Sequence, residues 1–570
     1  MGRAGEYTVQ TAGQSSERGG DIVSDQEGGS SFEVGKLWEI ANSKRVTRRS
    51  VLQGAAAAGA LAALGPFASA CGSSEPETSA SPSAAAPKMG GHIRSAIGGG
   101  TTKDILDPHR TYYDSGSKTV MVWDALLGWD QEHKLVMKLA ESYEVNADAT
   151  VHTLRLKPDL TFHDGSPVTA DAVVFSYQRI LDPEMAALGA GGLTELKPSG
   201  IKKVDDLTVS FTLTQPNAIF AEAVAYYANA IVPVGFTTPK GAEGAIGTGP
   251  WKPTSYDPGL QTEFDANRDY WGEGPYADKL TMIEFADPEP QLNALLSGSV
   301  DHLANLATSQ VGIVSSTPGL KVLEAKGGGW NPFTMLIDKK PFDDVRVRQA
   351  FRLIIDRQQV IDQGKGGFGR VANDMYAPFD PGYPKDLPQR VQDLEQAKSL
   401  LKQAGYDNDL SVVLNCTTST MLDDPNAAQV FAEQLNDAGV KTKVNKVDPD
   451  VYWNEGNYKS YPFAMSNWGT SNYLYLTRQM LFPTGPYWET HWKDAEWEKI
   501  VLEAFQTADD AKRNELVSAA MTIEYERGGH INYQFGSMLD AYSDKLGGLV
   551  PDNFGQSGAT YQRYHLFYFV

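Results

Sequence analysis

The stretch Leu139–Leu181, LAESYEVNADATVHTLRLKPDLTFHDGSPVTADAVVFSYQRIL, decides the fold. Glu144-Val145-Asn146 runs into Ala147-Asp148-Ala149, a polar break. From Thr153 to Phe162, the apolar side chains Leu154, Leu156, Leu160 and Phe162 share one alternating face, the period of a half-buried strand. His163-Asp164-Gly165-Ser166-Pro167 reads as a turn, because Asp-Gly tolerates positive φ and proline fixes the exit. Thr169 is placed to cap a helix, with Asp171 in its first turn. Val173, Val174, Tyr177, Ile180 and Leu181 then form one apolar helical face. The pattern is strand, turn, strand, turn, helix. Within it His163 and Asp164 look like a catalytic pair but read as turn-makers.

In this order the segments LAESYEV, TLRLKPDLTFHDG and TADAVVFSYQRI resemble the hallmark region of the family 5 extracellular solute-binding proteins, the peptide/nickel-type receptors of ABC importers. Further clusters follow in the same order. Gly247-Thr248-Gly249-Pro250-Trp251 with Asn267-Arg268-Asp269-Tyr270-Trp271 resembles the family's GTGPY…RNPDYW, with Trp251 for Tyr and Asp269 for Pro. Physically it is two strands joined at Pro258-Gly259. No Lys-Ser/Thr follows GTGP at the spacing a phosphate loop needs. Gln291–Gly298 with Val300-Asp301 matches LxxGxVD. Lys340–Arg357, KPFDDVRVRQAFRLIIDR, resembles the family's PFdDvrVRqAl…aiDR. Its apolar face holds Val345, Val347, Ala350, Phe351, Ile354 and Ile355. Arg346, Arg348 and Arg352 are expected on a solvated face, paired with Asp343, Asp344 and Asp356. Leu394–Tyr406, a helix ending at Gly405, also matches.

The resemblance covers about residues 90 to 545. It implies an α/β, periplasmic-binding-protein-like two-lobe fold of type II, in the large cluster with an extra small domain. Residues 90–118, 247–333 and 541–570 would build a discontinuous lobe I, 119–246 the small domain, and 334–540 lobe III. Thr119–Leu127 is expected as a short helix, and Tyr564–Val570 as a strand returning to lobe I.

Outside this region the chain carries targeting signals. Thr47–Gln53, TRRSVLQ, resembles the twin-arginine export pattern through Arg48 and Arg49, with Val where Phe is usual. Val51–Ala70 is an uncharged apolar run ending Ala68-Ser69-Ala70 before Cys71. That order resembles a lipobox, with Ala68 where Leu is typical. It implies that residues 1–70 are removed and that Cys71 carries lipid on the outer face of the cell membrane. Residues 1–46 are a polar leader, either a real n-region or an overextended start. Gly72–Lys88, GSSEPETSASPSAAAPK, reads as a tether, so 71–89 is expected to be flexible.

The chain has 570 residues, too long for one ordinary domain, and 41% hydrophobic residues, enough for real cores. Its formal charge of −21 arises wholly after residue 70, since residues 1–70 hold seven basic and seven acidic residues. So acidic a body argues against nucleic-acid binding. With Cys71 acylated, Cys416 has no intrachain partner; in LSVVLNC it reads as a buried strand thiol.

No GxSxG, HExxH or Cys/His zinc spacing occurs, so neither a catalytic constellation nor a metal or cofactor site is expected. A binding reading needs a cleft lined by aromatic and polar groups. The candidates are Tyr113 after Leu106-Asp107-Pro108, Trp330 and Asn331 in GGGWNPF, and Trp468, Ser471, Asn472 and Tyr473 in WGTSNY. Peptide-binding members of the family commonly carry Trp-x-x-Asp-Tyr here, with the Asp paired to the ligand's α-ammonium; in this chain Ser471 takes that position. Either an ammonium is held elsewhere, with Asp448 or Asp450 as the nearest suggestion, or the ligand lacks one. The second is the expectation: simple free-amine peptides should bind weakly, and N-blocked, glycosidic or otherwise uncharged polar ligands better. The overall expectation is a monomeric, lipid-anchored receptor that captures a peptide-like or other polar solute by lobe closure and delivers it to ABC permease subunits. The alternatives are an oligosaccharide receptor of the same fold, a sensing or chaperoning role, and a secreted hydrolase.

Overall fold

The computed structural model describes residues 87–111, 113–407, 409–418, 424–453, 457–553 and 563–570. Arg48, Arg49, Cys71 and most of the tether lie outside the described residues.

Three sheets organise the chain. The first has seven strands. At its centre His92–Gly98 runs parallel to both Lys279–Phe285 and His302–Leu303. Gln261–Ala266 and Trp251–Asp257 extend one side as an antiparallel hairpin turning at Gly259, whose φ is +75°. Met538–Ser543 and Leu320–Ala325 extend the other. Ile93, Trp251, Leu280 and Met282 are buried on it, together with Phe567 from the chain's end. The end is less regular than its alternation suggested. Tyr564–Leu566 is a single 3₁₀ turn, and only Tyr568–Phe569 forms a strand, paired with Leu546–Gly547.

The second sheet is antiparallel and four-stranded: Ala140–Val145, Val151–Leu156, Thr208–Leu213 and Leu196–Lys203. Leu154, Leu156, Leu160 and Phe162 are all buried, as their alternation requires, against Val173, Tyr177 and Ile180 of the helix Ala170–Ile180. Thr169 is the N-cap residue by position, but its side chain accepts no capping hydrogen bond. The FHDG turn locks onto GTGP. The His163 amide donates to the Gly247 carbonyl (2.8 Å), its Nε2 meets the Gly249 carbonyl (3.0 Å), and the Gly247 amide donates to its Nδ1 (3.3 Å). Burial keeps the ring neutral, with its pKa pulled down to about 4 against the opposing effect of the Gly249 carbonyl. The GTGP glycines serve close approach, since a Cβ on Gly247 would overlap the Val122 carbonyl. This contact also bears on the expected 119–127 helix. The helix is Tyr113–Val122, and the chain then leaves it so that Val122 can accept the Gly249 amide at 2.8 Å.

The third sheet has five strands in the order Lys441–Lys446, Ser411–Cys416, Phe463–Met465, Phe333–Met335, His530–Ile531. Cys416 is buried in it. Helices Val345–Ile354 and Asp424–Asp437 pack on it through Val347, Phe351 and Phe431. Two of the arginines expected on the solvated face are instead buried. Arg352 is fully enclosed and donates to the carbonyls of His530 (3.0 Å), Tyr525 (3.0 Å) and Gly528 (2.7 Å). Arg348 donates to Phe342 (2.7 Å) and Arg527 (2.6 Å). Both guanidinia therefore satisfy the open carbonyls at the C-terminal end of helix Asp510–Arg527, where positive charge is favoured. Only Arg346 pairs as expected, with Asp344.

Candidate functional site

Two segments cross side by side between the seven-stranded and five-stranded sheets. One leads from Ala325 to Phe333, the other from Ile531 to Met538, and they are tied where the Gly536 amide donates to the Gly329 carbonyl (2.8 Å). Gly327-Gly328-Gly329 lets the first pass tightly under the loop 467–472. A Cβ on Gly328 would press to 3.0–3.1 Å on Thr470, Phe379 and Pro378, and its amide donates to Thr470 Oγ1 (2.9 Å). Trp330 and Trp468 exchange backbone hydrogen bonds of 2.9 and 3.0 Å across this junction.

The loop 467–472 forms one wall of a cavity of about 500 Å³. Trp468 and Ser471 line it, together with Tyr475 from helix Tyr473–Met480 and Tyr487. Trp468 is held from behind. Its Nε1 donates to Glu489 Oε1 (2.9 Å), and its ring meets Tyr487 edge-on at 5.3 Å. Glu489 is buried and also takes Ser466 Oγ (2.6 Å) and His530 Nε2 (3.0 Å). With its N–H consumed, Trp468 has only its ring surface to offer a ligand.

The opposite wall comes from 186–192 and 222–229, two segments on the four-stranded-sheet side. It is lined by small residues, among them Ala186, Gly189, Gly191, Gly192 and Ala223, and their missing side chains provide the room. Among the described residues, Glu222, on helix Phe220–Val224, is the one residue of the lining with a carboxylate or a basic group. Its Oε1 accepts from Asn472 Nδ2 across the cavity (3.0 Å). Its Oε2 is shielded from solvent and has no partner among the described residues. Burial, with a contribution from Asp380, pushes this carboxyl up to about 7, against the opposing pull of Asn472 and Arg513. Asn472 also faces His133, whose ring stacks on Trp129 at 4.4 Å and which burial holds neutral, its pKa about 3.

The expected site residues separate into groups. Trp468 and Ser471 line the cavity, and Asn472 bridges to Glu222. Trp330 and Tyr473 are fully buried and do not line it. They sandwich Tyr376, with ring centroids 4.8 and 5.3 Å away, which places both in a layer behind the lining. Tyr473 donates its hydroxyl to Glu524 and accepts from Trp497 Nε1 (2.8 Å). Asn331 is buried outside the lining, and neither of its amide atoms has a partner among the described residues. Tyr113 begins the helix Tyr113–Val122, and its side chain lies outside the described residues. Asp448, exposed ahead of helix Pro449–Trp453, does not line the cavity, and the side chain of Asp450, within that helix, lies outside the described residues. Glu222 and the small-residue wall were missed. A run such as Ala186–Gly192, AALGAGG, was the available signal. Among the described residues no group of three or more His, Cys, Asp or Glu side chains is placed to hold a metal.

A cavity between an aromatic wall and a small-residue wall, beside paired crossing strands, suits binding. Comparison with known proteins agrees. The chain is 26% identical over 458 residues to the dipeptide-binding protein of Escherichia coli (strain K12), covering 74% of this chain and 85% of that protein. It is 28% identical over 375 residues to the glutathione-binding protein GsiB of Pectobacterium atrosepticum, covering 61% and 68%. Among solved structures, the ABC transporter substrate-binding protein CtaP from Listeria monocytogenes superposes with a TM-score of 0.75 at 21% identity, over 85% of this chain and all of that one. The two-lobe periplasmic-binding-protein fold is thereby established. Residues 134–506 match the model of the bacterial extracellular solute-binding proteins, family 5 (middle region), and the chain belongs to that family.

Proposed function

We propose that this protein is the receptor of an ABC importer that captures a peptide-sized polar solute by closure of its lobes and hands it to a membrane permease. The cavity carries this reading. At about 500 Å³ it falls in the range of small-molecule sites, and it lies between segments of different sheets, where closure would seal it. The similar dipeptide- and glutathione-binding proteins favour a peptide-like ligand. In this reading lobe I comprises 90–118, 247–333 and 541–570, the small domain 119–246, and lobe III 334–540. The crossing segments near Gly329 and Gly536 act as the hinge, and a lipid on Cys71 keeps the protein at the membrane. The aromatic lining of Trp468, Tyr226, Tyr227 and Tyr487 supports a second reading, a glycoside stacked on these rings.

Mass spectrometry of what co-purifies with the full chain, followed by small-angle scattering with the released compound added back, tests the proposal. We expect a peptide to be retained and the radius of gyration to fall on its addition. An unchanged profile at saturation counts against closure, and a retained sugar selects the second reading. Cys71→Ala should move the protein from the membrane fraction to the soluble one.

A further inference from the structure

We infer that Glu222 is the specificity-determining residue of the cavity, and that its carboxylate receives a protonated primary amine of the ligand. This rests on the receptor reading above. Among the described residues the lining is otherwise uncharged: alanine, glycine, aromatic, amide and hydroxyl groups surround a single carboxylate. Of its two oxygens, Oε1 is occupied by Asn472 Nδ2 at 3.0 Å, while Oε2 is buried and accepts from no described residue. A buried acceptor without a donor is costly, and a carboxylate more so than a neutral one. An ammonium brings three donors and the opposite charge, and so fills that gap with a charge-assisted hydrogen bond.

Asn472 holds the carboxylate at the junction of the two walls, so an amine seated there ties both walls to one ligand group. The first alternative that the sequence left, an ammonium held elsewhere than at residue 471, thus has its carboxylate. It comes from 249 residues earlier in the chain, on the opposite wall.

Closure around the amine would also change the charge state of the site. In the empty cavity the Glu222 carboxyl ionises near neutral pH, under the influence of Asp380 and, in the opposite sense, of Asn472 and Arg513; the buried Tyr475 hydroxyl stands within its field as a neutral group. Amine binding therefore strengthens as pH rises from about 6 to 7.5 and falls again where an α-ammonium itself loses its proton, near 8.

Calorimetry and native mass spectrometry on the full chain test this with four probes: an Ala-Xaa-Ala tripeptide pool, the same pool N-acetylated, spermidine, and a maltooligosaccharide series. We expect an amine-bearing probe to bind, acetylation to weaken binding at least about tenfold, and Glu222→Gln to weaken it comparably while abolishing the rise between pH 6 and 7.5. Tripeptide binding without spermidine binding identifies a peptide terminus, and the reverse a polyamine. Circular dichroism and melting of Glu222→Gln show whether its fold is intact; if it is not, the wild-type pH profile and the acetylation contrast decide alone. Equal binding of acetylated peptide, or preference for the sugar series with intact lobe closure, overturns the role of Glu222 and leaves the receptor reading standing. Binding of no probe by the wild type, with no change in scattering, overturns both.

Discussion

Glu524 is buried beneath the cavity's supporting layer. It takes hydrogen bonds from the hydroxyls of Tyr473 and Tyr376 and from Trp497 Nε1, the last two at 3.3 and 3.2 Å. Burial pushes its carboxyl up to about 7, although these three donors and the Arg352 charge all favour ionisation. Desolvation therefore wins at this residue. The folded state holds a proton that the unfolded chain gives up near its ordinary range of about 4.3. The resulting stabilisation is complete below that range and is lost as pH rises through 7. Glu524→Gln keeps an acceptor for the donors and removes the ionisation. We expect its stability by urea denaturation to equal or exceed that of wild type at pH 8, and the difference to shrink or reverse at pH 5. Glu524→Ala takes away the acceptor of the Tyr473 hydroxyl, while Trp497 Nε1 keeps Tyr473 (2.8 Å) and the Tyr376 hydroxyl keeps Thr477 Oγ1 (2.9 Å), and should cost about 1–3 kcal/mol at either pH. A Gln variant that tracks wild type at every pH would show that the carboxyl is not protonated near neutrality.

At the scale of elements, Val345–Ile354 shows what the sequence could and could not reveal. Its apolar face was legible from spacing: Val347, Ala350, Phe351, Ile354 and Ile355 are fully buried, while Val345 is only partly so. The destination of Arg348 and Arg352 was not, because their acceptors are carbonyls of residues 525–530, and a backbone carbonyl leaves no signature in residue type. The same limit hid the second wall of the site. Trp468 and Ser471 could be picked out within one motif, whereas Glu222 acquires meaning only when a fold sets it against Asn472, 250 positions away. Local patterns are complete within a few residues: the Asp-Gly turn stands where it was read, and the Leu154–Phe162 alternation marks buried positions, although the strand is Val151–Leu156 and Leu160 and Phe162 are buried beyond its end. Arg352 is also testable. Removing its guanidinium takes a donor from three carbonyls at a buried helix end, of which Tyr525 keeps Arg390 (3.0 Å) and Gly528 keeps Arg348 (3.2 Å). Arg352→Met should therefore destabilise by about 1–3 kcal/mol, and Arg352→Lys, which cannot reproduce the planar fork, should recover only part of that. Chemical denaturation of the two variants checks the order. A Lys variant as stable as wild type would mean that charge alone suffices there.

Across the whole molecule, histidine burial sets the acid limit. Burial is the leading cause in each case: it brings His109, His152 and His163 down to about 4, and His133 and His565 to about 3. The five lie in different parts of the chain, from the hydrogen bond between His109 and the Ala230 carbonyl to the His163 lock on GTGP. A histidine with a depressed folded pKa costs nothing above its unfolded value of about 6.5, where both states are neutral. Below that value the unfolded chain binds protons that the folded one refuses, so stability falls with pH until the folded pKa is reached. Glu222 and Glu524 act in the opposite sense over the same window, since the folded state keeps their protons. Five histidines outweigh two carboxyls, and the net effect should be a loss of more than about 2 kcal/mol per pH unit between 6.5 and 4.5. For a protein of ordinary marginal stability this brings unfolding by about pH 4. Urea midpoints at pH 7.5, 6.5, 5.5 and 4.5 measure it. We expect a flat upper pair, a steep fall below, and a constant dependence on urea concentration. Midpoints that hold steady down to pH 4.5 would mean that these rings protonate within the fold, and that the His163 contacts to Gly247 and Gly249 do not require a neutral imidazole.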